Sequence, residues 1–146
     1  MLFERPKIAV VAGLSRLGAR IAGMLYDAGY HVTAIDLDAE AFRKLPEHFS
    51  GFQIEGDATD IETLQRLGVQ SASVLVAVTE DDNRNSLIAQ IGRRIFNVSN
   101  IFLRLDDPEK EKLIRGLNVN VISPTRLSIE KFDALLASGA KEPVNV

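Results

Sequence analysis

The sequence predicts an α/β protein built on a doubly wound parallel sheet of six strands in the order 3-2-1-4-5-6. Two observations predict it. Six short apolar runs of strand length alternate with stretches whose apolar residues recur at helical spacing, and such alternation builds βαβ units with right-handed crossovers. The first run, Ile8 to Ala12, enters a helical pattern (Leu17, Ile21, Leu25) through a turn of Gly13, Leu14, Ser15, Arg16, Leu17 and Gly18, and the second run closes on Asp36. A glycine turn opening a helix, with an acid roughly 20 residues further on, is the phosphate and ribose signature of the Rossmann type.

Composition narrows the chemistry. At 146 residues the chain fits one domain with a full core and leaves no room for a second, substrate-binding domain. A net charge of -3 supplies no basic field for a nucleic acid. The absence of cysteine excludes disulfides, thiolate metal sites and a cysteine nucleophile. His31 and His48 stand apart from each other and from carboxylates at ligand spacing, so no metal is expected. No apolar run approaches the ~20 residues of a membrane span, and the N-terminus lacks the apolar core of a signal peptide. A cytoplasmic protein without direct membrane insertion is expected.

Taken in order, Ile8 to Ala12 has the β-branched content of a strand buried on both faces. Gly13 can take the backbone angles of a tight turn, and Gly18 lets the helix lie close to the strand, so the helix N-terminus points its amides and positive dipole end at a phosphate position. The middle position of the G-x-G-x-x-G pattern is Ser15. Its hydroxyl can donate to a phosphate, while its Cβ pushes a pyrophosphate outward. Gly29 and Tyr30 end the helix, and His31 to Ile35 forms the second strand, leading to Asp36, Leu37 and Asp38. Asp36 is placed to accept hydrogen bonds from an adenosine ribose, and its charge disfavours the 2′-phosphate of NADP. Alternatively, Asp36 or Asp38 caps a helix running to Leu45.

Pro46 to Ser50 breaks that helix, and Gly51 to Glu55 makes the third strand, running into Gly56, Asp57, Ala58 and Thr59. Thr59 and Glu62 have capping-box spacing for a helix through Leu64 and Leu67 that stops at Gly68. Asp57 stands where it can meet an adenine amino group directly or through water. Ser73 to Val78 is the clearest buried strand. Thr79 and Asp82 again have capping-box spacing, with Leu87, Ile88, Ile91 and Ile95 on one helical face. Thr79 faces the glycine turn across the switch point, and is either an N-cap or a contact to a phosphate or second ribose.

Asn100 to Leu105 forms a fifth strand carrying Arg104, a charge poorly explained by core packing. It can bind phosphate, pair with the acidic loops, or cross a subunit interface. Asp107 and Pro108 start the next helix with a cap and a first-turn proline. Val119 to Ile122 is the sixth strand, and Ser123-Pro124 opens a last helix with Ile129, Phe132 and Leu136 on one face. The tail, residues 138–146, is expected to fray.

The ordered motifs Gly13-x-Ser15-Arg16-x-Gly18, Asp36, Gly56-Asp57-Ala58-Thr59, Thr79-x-x-Asp82-x-x-Asn85, Arg104-x-Asp106-Asp107-Pro108 and Ile122-Ser123-Pro124 are similar to those of the RCK family, also called KTN or TrkA-N. The resemblance is to the family's N-terminal lobe, from Lys7 to about Leu136, in cytoplasmic ligand-binding regulators of potassium channels and transporters. It implies a lobe that dimerises or enters a higher ring and binds NAD(H), AMP, ADP or ATP at the inner face of the membrane through a transport partner. By position it implies phosphates at the glycine turn and Arg16, the ribose at Asp36 and Leu37, and the adenine at Gly56, Asp57 and Ala58. Thr79 and Arg104 would lie near the phosphates or the dimer partner. Residues 1–137 would form the lobe with its crossover helix, and no C-terminal lobe is expected. Ser15 in place of the middle glycine makes a mononucleotide the better fit.

The leading expectation is therefore a non-catalytic nucleotide sensor. Its rivals are a small NAD-dependent oxidoreductase, which needs an acid-base group that no histidine, lysine or tyrosine obviously supplies beside the nicotinamide position, and a structural dimerisation module whose nucleotide site has decayed at Ser15.

Overall fold

Alternation along the central strands explains how two cores form. In the computed structural model, which describes residues 5–139, strand β1 (Ile8–Ala12) has Ala9, Val10, Val11 and Ala12 fully buried. Because successive side chains point to opposite faces, Val10 and Ala12 enter one core while Ala9 and Val11 enter the other. The remaining strands are β2 (His31–Asp36), β3 (Phe52–Glu55), β4 (Val74–Ala77), β5 (Asn100–Arg104) and β6 (Asn120–Ile122). All pairings are parallel, in the order β3-β2-β1-β4-β5-β6 expected from the sequence.

Helix α1 (Arg16–Asp27) packs Ala19 and Ala22 into the core that holds Ala9, Val11, Val74 and Val76. Helices α2 (Ile61–Arg66) and α3 (Asp82–Arg94) cover the other face through Leu64, Ile88 and Ile91. A last helix, α4 (Pro124–Ser138), is capped by Ser123 as expected and has no buried residue. Gly139 closes it with φ +64°, so Ser138 is helical, and the expected fraying of residues 140–146 lies outside the described residues.

Several expectations are corrected by the structure. The segments predicted as helices after β2 and β5 are 3-10 turns, Ala39–Lys44 and Pro108–Ile114. Leu45 precedes Pro46, which disfavours helical angles there and leaves six residues for the first turn. The second buries only Ile114, too little packing to hold a wider helix. Both predicted capping boxes shift by a residue or two. Asp60, not Thr59, accepts from Glu62 N–H, and Asp81, not Thr79, accepts from the amides of Asn83 and Arg84. A nearer carboxylate outcompetes the hydroxyl in each case. The buried face of α3 centres on Asn85, Ile88, Ala89 and Gly92, so Leu87 is exposed, as is Ile95 beyond the last turn.

Candidate functional site

The site forms where the strand order reverses, above the carboxyl ends of β1, β2, β3 and β4. A cleft of about 270 Å³ opens there between the glycine turn (Gly13, Leu14, Ser15) and the end of β2 (Ile35 to Asp38). Ala41 and Lys44 close it on the β2 side, Gly56 and Ala58 enter from β3, and Thr79, Glu80 and Arg84 enter from β4.

Two of the turn's glycines are demanded by geometry. Gly13 has φ +98°, and a Cβ on it would stand 2.5 Å from Thr79 N. A Cβ on Gly18 would overlap the Gly13 carbonyl oxygen. Ser15 is the N-cap of α1: Gly18 N–H donates to its Oγ at 3.1 Å, and its hydroxyl donates to the Val78 carbonyl at 2.8 Å. The proton that could have met a phosphate is thus committed to the end of β4, where it ties the turn down. Arg16, the first residue of α1, is exposed and lies outside the cleft lining, and Leu17 and Gly18 serve the packing of the helix.

Asp36 and Asp38 divide the two roles that sequence left open. Asp38 caps the 3-10 turn through Glu40 N–H. Asp36 faces the glycine turn instead, its Oδ2 accepting from Leu14 N–H at 2.7 Å and its Oδ1 from Asp38 N–H at 2.9 Å. Each carboxylate oxygen keeps a further lone pair for an incoming hydroxyl. Lys44, which no sequence motif singled out, reaches back to donate to the Leu14 carbonyl at 3.0 Å. The Leu14 peptide is therefore clamped from both sides. Leu37, next to Asp36, is exposed on the cleft rim.

Asp57 is occupied from within the protein. Its Oδ1 accepts from Thr59 N–H (2.9 Å), the Thr59 hydroxyl (2.7 Å) and Arg84 Nη2 (2.7 Å). The Thr59 hydroxyl and amide, opposed by partial burial and aided by Arg84, hold this carboxyl below the ordinary carboxylate range. Asp57 follows β3 and Arg84 opens α3 after β4, so the pair joins loops from both halves of the sheet. Arg84 was not foreseen, because nothing in the sequence joins it to Asp57.

Thr79 is organised by Asn85, which is fully buried. Asn85 Oδ1 accepts from the Thr79 amide (2.9 Å) and hydroxyl (2.6 Å), while its Nδ2 donates to the carbonyls of Thr79 (2.9 Å) and Arg104 (3.0 Å). One side chain thus fixes the loop after β4 against the end of β5. Arg104 itself lies outside the cleft lining and makes two bonds to Asp106 Oδ2, from Nε at 3.0 Å and Nη2 at 2.8 Å. Pairing with an acidic loop, one of the three roles left open for it, is made within the chain. Burial raises the Asp106 carboxyl, but hydrogen bonds from Arg104 and the Thr125 amide outweigh it and leave the group below its ordinary range. His48 pairs with Asp27 at 2.7 Å, away from the cleft.

With this geometry in hand, comparison with known proteins is specific. The chain is 32% identical over 133 residues to the Trk system potassium uptake protein TrkA of Streptomyces coelicolor, covering 90% of this chain and 60% of that protein. Among solved structures, the TrkA-N domain of inner membrane protein ybaL from Escherichia coli superposes with a TM-score of 0.78 at 17% identity, covering 92% of this chain and 99% of that one. The Shewanella denitrificans Kef CTD in AMP bound form gives 0.73 at 20% identity (92% and 84% covered), and the GsuK channel bound to NAD gives 0.68 at 19% (85% and 22% covered). At these identities the structural likenesses show a shared fold. Among the described residues no helix is long and apolar enough to cross a membrane. Residues 9–124 match the model of the TrkA-N domain, and with the resemblance already seen in the motifs this places the chain in the TrkA-N family.

Proposed function

We propose that this chain binds an adenine nucleotide (AMP, ADP, ATP or NAD(H)) at the switch-point cleft and, within a potassium transport assembly, converts occupancy into a change in how copies of the lobe pack. The observation that carries the reading is the cleft itself. A turn closed by Gly13 and Gly18 faces a carboxylate, Asp36, whose oxygens retain acceptor capacity toward a ribose. The first-turn amides of α1, with Arg16 beside them, would hold a phosphate. Asp57 and Ala58 would meet the adenine, and Thr79 and Arg84 would close the far wall. Arg104 would brace the loop after β5 through Asp106. Asp36 and Asp38 together disfavour NADP, since a 2′-phosphate would face two anions.

The potassium assignment is supported by the Streptomyces coelicolor relative, a potassium uptake protein, and the ligand class by two proteins of the same fold, a Kef domain bound to AMP and the GsuK channel bound to NAD. The role proposed is non-catalytic, on the cytoplasmic side of a membrane partner. A homo-oligomer is proposed through α4, which leaves Leu127, Ile129, Phe132 and Leu136 exposed. The ligand acts only if it binds one packing more tightly than the other. Sedimentation of nucleotide-stripped protein with and without AMP or NAD tests this. A ligand-dependent change in oligomer size or shape is expected, and an assembly blind to every adenine ligand would refute the sensor role.

A further inference from the structure

We infer that the direction of α4 is set from the cleft through the segment after β5, with Asp82 and Asp106 as the positioning residues. The inference rests on the sensor reading above and names the route by which occupancy reaches the packing surface. Because α4 has no buried residue, its angle is fixed by what holds its first turn rather than by core packing. Two bonds tie that turn to the segment after β5. Thr125 N–H donates to Asp106 Oδ1 at 3.2 Å, and Arg126 Nη2 donates to Glu111 Oε1 at 2.8 Å. α3 grips the same segment from the other side. The Asp82 carboxylate accepts from the consecutive amides of Asp106, at 3.1 Å to each oxygen, and Asp107, at 2.9 Å. Asp82 opens α3, whose first turn also carries Arg84, which lines the cleft and holds Asp57, and Asn85, which holds Thr79 on the cleft wall. A ligand that shifts Thr79 or Arg84 therefore shifts the start of α3, and Asp82 passes the shift to the two amides. Asp106, kept in orientation by Arg104 Nη2 at 2.8 Å on its other oxygen, hands it to the root of α4. Each joint is a carboxylate on backbone amides, stronger than a neutral bond, so the chain from cleft to helix is contiguous and stiff.

The test measures two quantities on the nucleotide-stripped full chain and its variants: the Kd of AMP and of NAD at dilution to monomer, and the change that saturating ligand makes in the self-association constant, read by sedimentation. In the parent that change should be about fivefold or more, the low end for coupled sites. Asp106→Ala should shrink it to within about twofold while leaving the monomer Kd within about twofold of the parent. Asp82→Asn keeps one acceptor oxygen and should lose part of the change. Arg93→Met is the control for lost stability, since Arg93 holds the Val98 and Asn118 carbonyls at the far end of α3, and it should keep the full change. A full change in Asp106→Ala, a monomer Kd that weakens in step with the lost change, or an equal loss in Arg93→Met would overturn the inference; if Asp106→Ala does not fold, Asp82→Asn decides by the same two quantities. A parent that binds ligand with no change in self-association would overturn the sensor reading and, with it, this inference.

Discussion

Replacing Asn85 with alanine tests whether the loop that builds the far wall of the cleft is held as described. Asn85 makes four hydrogen bonds to three backbone groups and one hydroxyl from a fully buried position. Alanine removes all four and leaves the Thr79 amide and the Thr79 and Arg104 carbonyls without their partners. At about 1 kcal/mol per net bond the loss is about 4 kcal/mol, falling toward 2 if a water fills the vacated space. For a chain of this length that is about 6 to 12 °C in Tm. Asn85→Asp should be no better near neutral pH, because a carboxylate would face two carbonyl oxygens, and should recover in part as acid protonates it. Urea unfolding of both variants, beside the exposed control Asn83→Ala, provides the comparison. Asn85→Ala within about 0.5 kcal/mol of the parent, the range of an ordinary surface substitution, would refute the argument.

Ser15→Gly removes a Cβ from the pyrophosphate position but also the hydroxyl bonded to Val78 and Gly18. Stability should drop by about 1 kcal/mol, while the NAD-to-AMP affinity ratio rises; calorimetric titrations showing equal changes for both ligands would contradict the steric reading. Asp106 contributes stability that is fully present above the ordinary carboxylate range and is lost as pH falls below about 4 through its depressed folded value. Asp106→Asn should therefore flatten the acid limb of a stability-versus-pH curve, and an unchanged limb would deny it that role. Ser86 Oγ is the buried side-chain polar atom that lacks a hydrogen-bond partner among the described residues. Ser86→Ala should leave thermal stability unchanged or raise it by up to about 1 kcal/mol; a clear loss would mean the hydroxyl has a partner.

What could be read from the sequence follows from the range of each interaction. β1, the glycine turn and α1 were legible because alternation, glycine placement and helical spacing all act within a few residues of each other. Asp36 was legible because the end of β2 must lie beside the turn once the order 3-2-1-4 is adopted. Caps were misplaced by a residue or two where two candidate acceptors stood side by side, as at Thr59 and Asp60. Lys44 and Arg84 stayed hidden because long side chains cross from other elements, over 30 and 27 residues of sequence. The Asn85 position did stand in a quoted motif, yet only the packing of α3 against β4 and β5 reveals that its amide spans both loops. Pairing with an acidic loop was among the readings open for Arg104, and Asp106, two residues on, is the partner it takes.

The most direct test of nucleotide binding at the cleft is calorimetric titration of nucleotide-stripped protein with AMP and with NAD, run beside Asp36→Ala. The account predicts micromolar binding of at least one ligand by the parent. In the variant the same ligand should lose about 1 to 3 kcal/mol, because the ribose acceptor is gone and Leu14 N–H has lost its partner. No binding by the parent below millimolar concentration would contradict the proposed function, and binding unaltered in Asp36→Ala would contradict the place assigned to the ribose.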